Sequence, residues 1–307
     1  MLCLCGLSGC RWGDTSGGES SGTQRSRRVT AETTFTGMRG RYAAYSIRIS
    51  DGKGLRAAGR LLRPIPSAAG RRYPAVLLQN GRELNSRAVE FLPSEFGDVV
   101  VLSLDYPDDL PYELSIREII LRSDRLRRAS RRVAPLFSLG ASYLLTRDDV
   151  DTGRLAIVAT SFAVPFAVQA AASDTRFVNV GLVYGAGNMT EVLAANLTIR
   201  PRWLRRPAAW IAMRPFAEFA PERNVARIAP RPVVMVNGMD DPQMPRRAVE
   251  ELYNAAGPPK TLIWLRTGHL MPEDSALVRA LVDTALARLP ALTGVAAIRR
   301  MPGAARL

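Results

Sequence analysis

The sequence predicts an α/β domain, a mainly parallel sheet of about eight strands flanked by helices. Three observations predict it. From about residue 41 onward, short β-rich apolar runs alternate with helical stretches, the pattern of strand-helix units stacked in one sheet. The runs YPAVLLQ (73–79) and VVVLSL (99–104) are nearly continuous in apolar residues rather than alternating, as strands covered on both faces are. The chain has 307 residues, 47% of them hydrophobic, which is ample for one large buried core.

Residues 1–10, MLCLCGLSGC, are short and apolar and end in Leu7-Ser8-Gly9-Cys10. This ending resembles the lipobox of bacterial lipoproteins, whose Cys becomes the lipidated first residue of the mature chain. The resemblance implies Cys10 as the attachment point and the bacterial cell envelope as the location, with a cytoplasmic protein as the alternative. No basic residue precedes Cys10, so the segment reads as a truncated signal. Residues 11–40 are expected to be a flexible tether, Gly- and Ser-rich over Arg11 to Arg25. The domain is expected over 41–295, with a short tail at 296–307.

Within the domain, Tyr45 to Ile49 and Gly59 to Leu62 read as two early antiparallel strands joined by the turn Asp51-Gly52-Lys53-Gly54. Further strands are expected at 73–79, 99–104, 155–159, 178–184, 232–237 and 261–265. Helices are expected at 86–96, 113–132, 134–146, 164–172, 246–256 and 275–289. Arg122, Arg125, Arg128 and Arg132 lie off the apolar stripe of the 113–132 helix and read as a solvated face. The uncharged stretch Leu155 to Ser173 is 19 residues long, yet Thr160, Ser161, Pro165 and Gln169 interrupt it, so it reads as a buried strand turning into a buried helix rather than a membrane span. The segment 185–229 is longer than a simple crossover needs. It carries Trp203, Trp210, Met213, Phe216 and Phe219 and is cut by Pro201, Pro207 and Pro215. It reads as a small helical cap whose Trp203, Trp210 and Phe216 line a substrate pocket, or as a helical excursion packed on the sheet.

Composition excludes several chemistries. A His/Cys zinc site needs three or four ligands, and outside the first ten residues the chain offers only His269. The three cysteines, Cys3, Cys5 and Cys10, crowd one end and make no disulfide framework. The net charge is +14, but the only lysines are Lys53 and Lys260 and the arginines spread over the whole length. That spread argues against a nucleic-acid face, and it leaves an anionic membrane surface as a possible partner. Gly185-Ala186-Gly187-Asn188 begins like a dinucleotide fingerprint, but it lacks the third Gly and comes late in the sheet.

The chemistry concentrates at three strand ends. Strand 155–159 runs into Ala159-Thr160-Ser161-Phe162-Ala163 and then a helix. This resembles the nucleophile elbow of α/β-hydrolases, usually G-x-S-x-G, with Ala in place of both glycines. Strand 232–237 ends in Gly238-Met239-Asp240-Asp241-Pro242, where Asp241 matches the position of the family's acid, and strand 261–265 runs into Arg266-Thr267-Gly268-His269. The order Ser161, Asp241, His269, separated by 80 and 28 residues, is the α/β-hydrolase order.

From about Tyr42 to Pro290 the chain resembles the α/β-hydrolase superfamily. Within it, Asp105-Tyr106-Pro107 and Asp149 to Arg154 (DVDTGR) are similar to the dienelactone hydrolase and prolyl oligopeptidase catalytic-domain branch. The resemblance implies Ser161 as nucleophile, His269 as general base and acid, and Asp241 as the acid that orients it, with no cofactor. It also implies oxyanion donors at the backbone N–H of Phe162 and in the loop Gln79-Asn80-Gly81-Arg82, where the N–H is assigned to Arg82. The expected reaction is cleavage of a small-molecule carboxylic ester or thioester. A peptidase of the prolyl oligopeptidase type, or an inactive hydrolase-fold protein that binds anionic surfaces, are the alternatives.

Overall fold

The computed structural model of the protein describes residues 29–65, 70–92, 97–111, 115–269, 281, 284 and 288–292. The lipobox-like segment with Cys10, the tether before residue 29, most of the expected 275–289 helix and the tail at 296–307 lie outside the described residues.

The sheet has nine strands: β1 (Thr30–Arg39), β2 (Tyr42–Ser50), β3 (Arg56–Pro64), β4 (Tyr73–Gln79), β5 (Val100–Leu104), β6 (Val150–Thr160), β7 (Asn179–Val183), β8 (Val233–Gly238) and β9 (Lys260–Leu265). Their spatial order is β1-β2-β3-β5-β4-β6-β7-β8-β9. The first three strands and the β3–β5 junction are antiparallel, and every pair from β5 to β9 is parallel. All six parallel strands therefore end at one edge of the sheet. Ligands of open α/β sheets bind at that edge.

Residues 30–39, assigned to the flexible tether, form β1, which pairs with β2 from Thr30↔Ser50 to Arg39↔Tyr42. The strand is almost wholly exposed, so it carries no buried apolar stripe to mark it. Its β-branched threonines and its partner's free edge make the strand. The turn at 51–54 forms as expected, with Asp51 Oδ1 accepting from the N–H groups of Lys53 and Leu55.

The helices on the described part of the chain are α1 (Ile116–Leu121), α2 (Ser123–Leu144), α3 (Val164–Ser173), α4 (Met189–Asn196), α5 (Arg205–Met213) and α6 (Arg246–Ala255). The break expected near residue 133 falls instead at Arg122. Ser115 starts α1 with a capping box to Glu118, and α2 then runs 22 residues with Pro135 inside it. The expected 86–96 helix is a 3₁₀ turn at Asn85–Phe91. The arginine face of α2 is solvated at Arg125 and Arg128. Arg127 and Arg131, in contrast, both clasp Glu218 and so hold residues 214–219 against α2.

Between β7 and β8, residues 185–229 form α4, α5 and several 3₁₀ turns. The Gly185-Ala186-Gly187 run has a packing role there. A Cβ on Gly185 would meet Val164 and Leu182, and one on Gly187 would meet Glu222 and the backbone of Leu252. Asn188 then caps α4 by accepting from the N–H of Glu191. Leu155 to Ser173 is the end of β6 followed by α3, and among the described residues no helix is long and apolar enough to cross a membrane.

Candidate active site

Strand β6 stops at Thr160, and Ser161 opens a short 3₁₀ turn that passes directly into α3. Ser161 has φ +52°, the left-handed region that a residue with a Cβ enters at a cost of about 1–3 kcal/mol. The turn brings strand and helix backbones together, and the flanking Ala159 and Ala163 are fully buried there. Alanine is small enough to serve where glycine is usual. The N–H of Phe162 lies at the start of the turn, where the first N–H groups have no intrahelical acceptor and the dipole of α3 adds positive potential.

Register places the second loop beside this elbow, because Gln79 at the end of β4 pairs with Ala159. The loop is held from the next strand over. Tyr106 Oη donates to the Asn80 carbonyl at 2.6 Å, Tyr106 N–H donates to Asn85 Oδ1, and Asp105 Oδ1 accepts from the N–H of Ser86. The Asp105-Tyr106-Pro107 motif thus acts as a clasp on the 80–86 loop. Burial pushes the Tyr106 phenol well above its ordinary pKa, with Arg82 opposing, so it stays a neutral donor. Asn80 Oδ1 takes the N–H of Gly81. The Arg82 guanidinium stacks on the Phe162 ring, 4.6 Å from its centroid, which joins this loop to the elbow.

Asp241 and His269 meet at the ends of β8 and β9. His269 Nδ1 lies 2.7 Å from Asp241 Oδ2, and the two side chains are 13% and 1% exposed. Asp241 Oδ1 accepts from the N–H groups of Gln243 and Met244 at 2.7 and 3.2 Å. One carboxylate oxygen is thereby locked and the other aims at the imidazole. Asp240, the neighbour, points outward and is exposed, while its N–H donates to the Thr267 carbonyl.

The two strand ends approach closely at Gly238. A Cβ there would lie 2.5 Å from the Thr267 carbonyl oxygen and 2.9 Å from that of Gly268. Gly238→Ala is therefore expected to wedge β8 from β9, lower stability by about 1–3 kcal/mol and separate the Asp–His pair. A urea unfolding midpoint beside that of the parent protein checks it.

Tyr184 joins the two halves of the site, and sequence reasoning missed it. It follows β7 with φ +51°, donates from Oη to the Gly268 carbonyl at 3.0 Å, and sets its ring 5.0 Å from that of His269. The same ring lines a cavity with Ser161 and Phe162. Its signal in the sequence is its place as the last residue of the apolar run 178–184.

The cavity holds about 310 Å³ and is walled mainly by apolar side chains from α1, α2, α3 and the 185–229 segment. A chain of aromatic contacts runs along it from the elbow, Phe162 to Phe166 to Phe219 to Phe216, with centroid separations of 5.4, 5.7 and 6.4 Å. Phe216 lines the cavity. Trp203 and Trp210 do not line it. They are 72% and 55% exposed; Trp203 sits on the 3₁₀ turn before α5, and Trp210 faces out because α5 buries the opposite face, Ala209 and Ala212, against the domain. Helical phase, which aromatic content alone does not reveal, decides this. The segment is also pinned to the acid loop, since Asn196 Nδ2 donates to the Gln243 carbonyl.

Neither a protein-family model nor a curated protein sequence matches the chain. Solved structures match it in fold. An acetyl xylan esterase from Paenibacillus sp. R4 aligns with TM-score 0.62 and 14% identity over 84% of this chain and 89% of its own. An α/β hydrolase from Penicillium sp. sh18 aligns with TM-score 0.51 and 16% identity over 84% and 99%. A puromycin hydrolase aligns with TM-score 0.56 and 14% identity over 87% of this chain but 46% of its own. The chain has the α/β-hydrolase fold.

Proposed function

We propose that the protein is a serine hydrolase that cleaves a carboxylic ester or thioester through an acyl-enzyme. The observation that carries the reading is the 2.7 Å His269–Asp241 pair, at the same sheet edge as a serine held in a left-handed turn. A carboxylate only accepts hydrogen bonds, so Nδ1 of His269 carries the proton and Nε2 is left as the base. In the proposed reaction Nε2 takes the Ser161 proton as Oγ attacks the acyl carbon. It then returns the proton to the departing alcohol or thiol. Asp241 keeps the tautomer and stabilises the imidazolium that forms. The N–H groups of Phe162 and Arg82 receive the oxyanion, at the positive end of α3.

The acyl group enters the apolar cavity beside Ser161, where Phe166, Phe219 and Phe216 favour a hydrocarbon or aromatic chain over a charged one. A water molecule activated by His269 then releases the acid. The test is covalent labelling by a fluorophosphonate together with turnover of short p-nitrophenyl esters. One equivalent of label on Ser161, abolished in Ser161→Ala and strongly slowed in His269→Ala, is expected. Absence of both labelling and turnover overturns the reading.

A further inference from the structure

We propose that the outer face of the 185–229 segment is a docking surface for an anionic lipid bilayer. The proposal does not depend on the chemistry at Ser161. Its starting point is a helix that is amphipathic in the wrong sense for a free surface. On α5 and the 3₁₀ turns on either side of it, Trp203, Arg206, Trp210, Ile211 and Arg214 are exposed at helical spacing, while the small Ala209 and Ala212 face the domain. Helix α1 packs against α5 and adds Leu121, 70% exposed. Single exposed apolar residues are ordinary, but here two Trp, an Ile and a Leu are all exposed on elements that pack against one another.

Charge says what covers it. Residues 197–214 contain five arginines, Arg200, Arg202, Arg205, Arg206 and Arg214, and no Asp or Glu. Arg214 lies over the Trp210 ring, 5.4 Å from its centroid, so cation and aromatic share one place on the surface. Trp is the side chain that best occupies the headgroup level of a bilayer, and arginines beside it meet lipid phosphates and carboxylates. Duplex nucleic acid would meet the arginines equally well, but it offers no apolar phase for Ile211 and Leu121. The inner sides of the same elements, Ile119 of α1 and Met213 of α5, line the cavity that holds Ser161. Docking there would set that cavity next to the lipid.

The experiment is flotation of the full chain, carrying Cys10→Ser so that no acyl chain at that position contributes. Vesicles of phosphatidylcholine alone are compared with a 7:3 mixture of phosphatidylcholine and phosphatidylglycerol, at low and high salt. Binding to the anionic vesicles, weakened by salt, is expected, with tryptophan fluorescence quenched by brominated acyl chains. The double variant Trp203→Ala/Trp210→Ala should partition about tenfold less and lose most of the quenching. Arg202→Glu/Arg206→Glu should abolish binding while both Trp remain, and it stands in if the first variant fails to fold. Partitioning of folded Trp203→Ala/Trp210→Ala equal to the parent would reduce the effect to general charge and overturn the proposal. So would tighter binding to duplex DNA than to the vesicles.

Discussion

Ser161→Ala is expected to lower kcat/KM on p-nitrophenyl butyrate by about 10⁴–10⁶-fold, the equivalent of about 5–8 kcal/mol in the barrier. The proposed nucleophile has no substitute at the elbow, since Thr160 belongs to the buried strand and Phe162 offers only its N–H. What remains would be the contribution of the oxyanion donors and the cavity to attack by water. The same position makes a second, independent statement about stability. Alanine keeps the Cβ that makes φ +52° unfavourable, so Ser161→Ala should melt with the parent, whereas Ser161→Gly should relieve the strain and gain about 1 kcal/mol. The two variants share their loss of activity and separate in stability. Thermal unfolding of both beside ester kinetics makes the check. Activity of Ser161→Ala within tenfold of the parent would remove Ser161 from the reaction.

The legibility of this molecule in its sequence follows physical lines. The parallel strands were readable because burial on both faces forces near-continuous apolar runs, and β4 spans the same residues that its sequence run, 73–79, marks. The exposed edge strand β1 was not, since a strand that buries nothing leaves no pattern. Ser161, Asp241 and His269 were readable as ends of strands, where local text and order along the chain carry the information. Tyr184 and the clasp from Tyr106 to Asn80 depend on contacts between loops that follow different strands, and no local pattern encodes those. The outward direction of Trp210 depends on which face of α5 the small alanines occupy. That phase is present in the sequence only as Ala209 and Ala212 three apart, a weaker mark than the large residues around them.

Asp241→Asn is expected to cost about 10³–10⁴-fold in kcat with little change in the fold, and the geometry says why. Two backbone N–H groups, from Gln243 and Met244, converge on Asp241 Oδ1. In the asparagine variant the oxygen of the amide must take that place, because an NH₂ group there would oppose two donors. The NH₂ is then turned toward His269 and donates to Nδ1, which must give up its proton. The proton moves to Nε2, the nitrogen that has to accept from Ser161, and the imidazole is held in the tautomer that cannot act as base. The isosteric change leaves the Asp241 site packed and hydrogen-bonded, so stability should shift by less than about 1 kcal/mol. His269 is the sole histidine of the chain, so a long-range ¹H–¹⁵N spectrum contains one imidazole and reads its tautomer directly. The neutral imidazole of the parent should carry its proton on Nδ1 and that of the variant on Nε2. A parent spectrum with the proton on Nε2 would exclude Asp241 as the orienting acid, whatever the kinetics of the variant.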